Sequence, residues 1–144
     1  MRHGILRTPL AAPEKVTSMP ATSAAPDMSL RELALWAEGQ ARRLASNFGL
    51  DSSAERDNAY FALTQSVKLG EEVGELHAEV LGALKYQRKE KAGRYSSATL
   101  GGELADVMVC LALLAHTFNV DLAGAVSSKI EHLEARDRQA GLTA

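Results

Sequence analysis

Between Gly101 and Ala115 the chain reads Gly-Gly-Glu-Leu-Ala-Asp-Val-Met-Val-Cys-Leu-Ala-Leu-Leu-Ala, and no other stretch limits the possible folds as much. At about 100° per residue, its later part is apolar on every side: Leu104, Val107, Met108, Val109, Leu111, Leu113 and Leu114. A helix of that kind is normally buried all round. Glu103 and Asp106 nevertheless stand at its start, three residues apart and so on one face, which continues as Cys110 and Leu114. Carboxylates entering a core require a cation, hydrogen-bond donors or water beside them.

A second acidic stretch, Glu71 to Glu79, places Glu72, Glu75 and Glu79 on one helix edge beside an apolar arc of Leu69, Val73, Leu76 and Val80. Further carboxylates cannot neutralise Glu103 and Asp106. If the two helices pack face to face, a divalent metal between them resolves the repulsion, and all-oxygen ligation favours Mg²⁺ or Mn²⁺. A metal held this way commonly binds an anion, with phosphate the usual candidate. The competing reading is two acidic helix faces left in water on a non-catalytic helical dimerisation module. The position of Asp106 inside the most apolar segment speaks for the metal.

The 144 residues suit one domain with a moderate core. A net charge of −2 gives no global pull towards nucleic acid or a membrane surface. The single cysteine, Cys110, rules out an internal disulfide and fits a reducing compartment, so the expected location is cytoplasmic. The apolar run Leu104–Ala115 falls short of the roughly 18–20 residues of a membrane span, and Asp106 interrupts its approach.

All four prolines (Pro9, Pro13, Pro20 and Pro26) fall in the first part of the chain, which lacks helical periodicity. Residues 1–28 are therefore expected to be a dispensable disordered tail, with Met19 and Met28 as alternative starts of the functional chain. Ser29-Leu-Arg-Glu32 has the spacing of a capping box, and Leu30, Leu33, Ala37, Ala41 and Leu44 follow at helical period, with Trp36 at the stripe's edge. That helix should end near Asn47-Phe-Gly49. Leu50 to Asn58 reads as a loop, and a long helix should run from about Ala59 towards Leu84. Gly70 and Gly74 lie opposite its acids, where another helix could approach closely. Lys85, Arg88, Lys89, Lys91 and Arg94 form a basic connection with Gly93 as breaker. It is either a solvated loop or a mobile cover over an anionic ligand. Ser96, Ser97 or Thr99 should cap the central helix, and Asp121 a fourth one through Val126, Ile130 and Leu133. The structured domain is placed at residues 29–138, with 139–144 fraying. With no strand pattern and no repeat, the fold is expected to be all-α.

Lys68-Leu-Gly-Glu-Glu-Val-Gly-Glu-Leu76, Gly102-Glu-Leu-Ala-Asp-Val107 and the stretch Asn119 to Lys129 resemble, in this order, the motifs of the MazG-like, all-α nucleotide pyrophosphohydrolases. That superfamily includes dimeric dUTPases, dCTP pyrophosphatases and phosphoribosyl-ATP pyrophosphohydrolases. The likeness spans roughly Phe61 to Arg136. It implies a four-helix bundle completed by homodimerisation, as a dimer or a dimer of dimers. It also implies Mg²⁺-dependent hydrolysis of a nucleoside triphosphate to the monophosphate and pyrophosphate, as in house-cleaning of the nucleotide pool.

Carried over by motif, the resemblance makes Glu72, Glu75, Glu103 and Asp106 the metal ligands. It directs Lys129 at the phosphates and gives Glu71 the orientation or deprotonation of the attacking water. Asp121 matches a common aspartate that helix capping explains equally well. Two departures, Leu133 where many relatives carry Asn and Cys110 where some carry an aromatic residue, imply looser base selection. His77, His116 and His132 match no ligand motif and are expected at the surface or in packing.

Overall fold

The computed structural model describes residues 27–86 and 96–141. The expected tail up to Pro26, the basic residues Arg88, Lys89, Lys91 and Arg94 with Gly93, and the last three residues lie outside the described residues. Among those described there are four helices and no strand: α1 (Leu30–Asn47), α2 (Glu55–Ala83), α3 (Ser97–Thr117) and α4 (Leu122–Gln139). The all-α expectation holds.

Three of the four starts are written locally. At α1 the Ser29 amide donates to Glu32 Oε2 at 2.7 Å while the Glu32 amide donates to Ser29 Oγ at 3.2 Å, a reciprocal box. Ser96 and Thr99 build the same device at α3, and the Thr99 hydroxyl donates onward to Glu79 Oε2 at 2.6 Å, tying the start of α3 to α2. Asp121 caps α4, accepting from the Gly124 amide at 3.0 Å. A Cβ on Gly124 would meet the Asp121 carboxylate at 2.6 Å, so a larger residue there would displace the capping side chain. The aspartate thus caps α4. Replacing Ser29 by Ala removes the α1 cap and should cost about 1 kcal/mol of stability, readable as a shift of the urea midpoint with unchanged slope.

α2 begins earlier than its sequence suggests, at Glu55 in place of Ala59. Polar residues read as loop here serve the helix start. Glu55 and Asp57 lie in its first turn, where acids complement the helix dipole. The Asp57 carboxylate accepts from the Asp51 amide at 2.8 Å, and the Asn58 side chain donates to the Ser52 carbonyl at 2.9 Å.

α3 is the central helix: it packs on α2 and on α1, and α4 packs principally on α1. The core joins Leu33, Ala37 and Ala41 of α1, Phe61 of α2, and Ala112 and Leu113 of α3, with Leu30, Leu44, Leu50, Val109 and Leu122 against it. The apolar stripe read for α1 is therefore its buried face; Trp36 at its edge is 39% exposed and outside this core.

Two expectations fail within the single chain. α3 is not buried all round, because helices cover only one of its sides. Cys110, Ala112 and Leu113 are buried, whereas Leu104, Met108 and Leu111 stand between 41% and 50% exposed. Among the described residues no helix approaches Gly70 or Gly74 closely, since a Cβ on either would meet nothing within 4 Å. α3 also revises the reading of membrane-span length. Counted from Ser97 it has 21 residues and an 18-residue window of mean hydropathy 1.7, long and apolar enough to cross a membrane. The run Leu104–Ala115 had left out the uncharged residues before Glu103.

Candidate metal centre

The two acidic stretches meet where α2 and α3 pack. Glu72, Glu103 and Asp106 each offer one carboxylate oxygen, and these three atoms lie within 4.8 Å of one another. Glu72 is buried, Glu103 half-buried and Asp106 exposed, so the cluster grades from core to solvent. Helical spacing produces this. Glu103 and Asp106 are neighbours on one face of α3, and the Thr99–Glu79 hydrogen bond fixes how α2 lies beside them.

Lys68 answers part of the charge. Its ammonium lies 2.7 Å from Glu72 Oε1 and 3.0 Å from Glu71 Oε2. Glu72 first and Glu71 second hold the Lys68 ammonium well above the usual lysine range. Glu103 has no such partner. Its Oε2 is closed off from solvent and has no hydrogen bond among the described residues. Burial, and then the charges of Glu75, Asp106, Glu72 and Glu79 in that order, push its carboxyl above the ordinary value of 4.5.

Of the four expected ligands the structure thus brings three together. Glu75 is exposed one turn beyond Glu72, and is the strongest neighbouring charge on Glu103. Glu71 is exposed and bound to Lys68. Lys129 stands exposed on α4, and no described contact joins it to the cluster. His77, His116 and His132 are all exposed. Cys110 is buried, and its thiol is pushed up by burial and then by Glu72, which keeps it protonated and a poor ligand. The acidic face runs on into Cys110 and Leu113, not Leu114, which lines a groove on another side.

Sequence reasoning missed Lys68. Its spacing of three and four residues from Glu71 and Glu72 was a readable ion-pair signal.

The arrangement has a consequence for pH. With its carboxyl raised in the folded state, Glu103 keeps a proton that the unfolded chain has already released near pH 4.5. Stability from this group is therefore complete below that value and is lost as pH rises through the raised one. Glu32 and Asp51, both lowered by hydrogen bonds from Ser29 and Ser53, act oppositely and at lower pH, losing stability as pH falls. In chelator, melting temperatures should therefore decline as pH rises above the ordinary carboxyl value of 4.5, and Glu103→Gln should flatten that decline.

Compared with known proteins, the chain matches no family model and no curated protein at a significant level.

Proposed function

We propose that this chain is a metal-dependent hydrolase of phosphoric anhydrides, and within that class a nucleoside triphosphate pyrophosphohydrolase of the MazG-like kind. The observation that carries the reading is the orphaned Glu103 Oε2 inside a cluster of three converging carboxylates. A buried carboxylate oxygen with no donor is unusual in a folded protein. The all-oxygen donor set fits Mg²⁺ or Mn²⁺. An acidic face left in water, as in a non-catalytic dimerisation module, gives no reason to bury that oxygen.

Glu72, Glu103 and Asp106 would hold the ion, with Glu75 as the next carboxylate outward. When bound, Mg²⁺ supplies charge neutralisation at the phosphates and lowers the pKa of coordinated water. Lys68 fixes the orientation of Glu72 and holds Glu71 beside it. In the proposed reaction a water oxygen bonds to one phosphorus of the α–β anhydride. The bond from that phosphorus to the bridging oxygen breaks, the nucleoside monophosphate and pyrophosphate separate, and Glu71 accepts the water's proton. Lys129 is assigned to the outer phosphates; because α4 packs principally on α1, that role depends on the complete assembly.

The proposed assembly is a homodimer or a dimer of dimers. Its support is the open apolar side of α2 and α3, where Leu63, Leu111, Phe118 and Val120 are between 41% and 67% exposed around a groove of ≈ 810 Å³. Apolar patches of this kind mark association surfaces.

A panel of NTPs and dNTPs with Mg²⁺ tests the activity. Pyrophosphate and a monophosphate should appear in equal amounts, and chelator should stop both. Release of orthophosphate, or no turnover of any triphosphate, would contradict the reading.

A further inference from the structure

The acidic edge of α2 carries a cation of its own. Lys68 stands about one turn before Glu72 on that helix, with its ammonium 2.7 Å from Glu72 Oε1 and 3.0 Å from Glu71 Oε2. The two carboxylates are placed differently. Glu72 is buried and converges with Glu103 and Asp106, whereas Glu71 is exposed and stands outside that cluster. Lys68 therefore ties an inner carboxylate to an outer one. Pairing Glu72 has a structural value, because a buried carboxylate is costly without a partner. It also decides which oxygens of Glu72 remain on offer.

We propose that Lys68 is a selectivity residue for the metal, biasing the cluster towards a small ion such as Mg²⁺ or Mn²⁺ and against Ca²⁺; this rests on the reading of Glu72, Glu103 and Asp106 as a metal site. The reason is the supply of oxygens. Ca²⁺ takes about six to eight of them, at roughly 2.3–2.6 Å, and carboxylates often give it both of theirs. Mg²⁺ demands near-octahedral geometry at about 2.0–2.1 Å and keeps several waters, so one oxygen from each carboxylate suffices. With the ammonium on Oε1, Glu72 has Oε2 to give. A dication sharing Oε1 would face the ammonium across a single atom, at a separation where like charges repel strongly. Glu72 is thereby a one-oxygen ligand, which suits Mg²⁺ and deprives Ca²⁺ of a two-oxygen grip.

Glu71 secures the arrangement from the outer side. Without it the Lys68 ammonium, on a long flexible stem, would have Glu72 alone to hold it in place. Two other effects of Lys68 leave the choice between ions untouched. Mg²⁺ and Ca²⁺ carry the same charge, so the repulsion each feels from the ammonium is alike. A site loosened by loss of the ion pair would bind both more weakly. Only a change in the oxygens presented alters the ratio of the two affinities.

The test is metal binding to the full chain without nucleotide. Mn²⁺ is titrated by electron paramagnetic resonance, and Mg²⁺ and Ca²⁺ are measured by the Mn²⁺ they displace. Lys68→Met should raise the affinity for Ca²⁺ relative to Mg²⁺ by at least about tenfold, the lower end of what residues supporting a metal ligand are worth. Lys68→Arg, which keeps a cation between the same carboxylates, should hold the wild-type ratio. If the unpaired charge of Glu72 prevents Lys68→Met from folding, Glu71→Gln carries the test. It removes the outer anchor of the ammonium, leaves Glu72 paired, and should shift the ratio in the same direction. A ratio that stays at the wild-type value in Lys68→Met, or in Glu71→Gln where Lys68→Met does not fold, overturns the assignment of Lys68 and leaves the metal site standing. A wild type that binds none of the three ions overturns the metal site itself, and this proposal with it.

Discussion

Replacing Glu103 by Gln should lower turnover of a nucleoside triphosphate by more than about 100-fold while leaving the metal-free protein as stable as before or more so. The two effects have one cause. Even changes to residues that only support a metal ligand cost about 10–100-fold, so loss of a ligand's charge should cost at least as much. Without metal the same charge is a liability. Its Oε2 is sealed from water without a partner, and Glu75, Asp106, Glu72 and Glu79 all repel it. Gln keeps the shape and removes the repulsion, and a neutral amide is cheaper to bury than a carboxylate. A carboxylate kept for structure would behave otherwise, with Glu103→Gln destabilising the protein equally in Mg²⁺ and in chelator. Melting curves in both conditions, set beside initial rates, separate the cases.

The second large effect concerns the open side of the bundle. Leu111→Glu should convert a dimeric or tetrameric protein to monomers, measured by light scattering after size-exclusion chromatography. Leu111 lies 41% exposed on α3 and lines the groove with Leu63, Phe118 and Val120, which are more exposed still. In a monomer a carboxylate there can reach water, because Leu111 is 41% exposed. Across a closed apolar interface it costs about 2 kcal/mol or more, roughly 30-fold in dissociation constant. Wild-type protein that is monomeric at micromolar concentration, or a variant that stays associated, would remove the homodimer from the account.

What the chain reveals of itself divides along the range of the interactions. Ser29 and Asp121 were legible as caps, and Ser96 as one of three candidates with Ser97 and Thr99, because a cap is settled within three residues. The α1 stripe was legible because Leu33, Ala37 and Ala41 repeat at helical period. The start of α2 was misplaced because Glu55 and Asp57 are polar, and polarity alone does not separate a loop from a first helical turn. Glu72, Glu103 and Asp106 were found from spacing on two helices, whereas their meeting is a tertiary fact. The all-round burial expected of α3 failed since hydrophobicity says that a face seeks cover, not whether the same chain provides it.

The central claim is a divalent cation held by Glu72, Glu103 and Asp106. Anomalous diffraction at the manganese edge, from crystals of the protein grown with Mn²⁺, addresses it most directly. The account predicts a peak bonded to oxygens of all three carboxylates, including the now unpartnered Glu103 Oε2. A crystal that shows no peak there, with Glu103 still unpartnered and Lys68 still bridging Glu71 and Glu72, would contradict it.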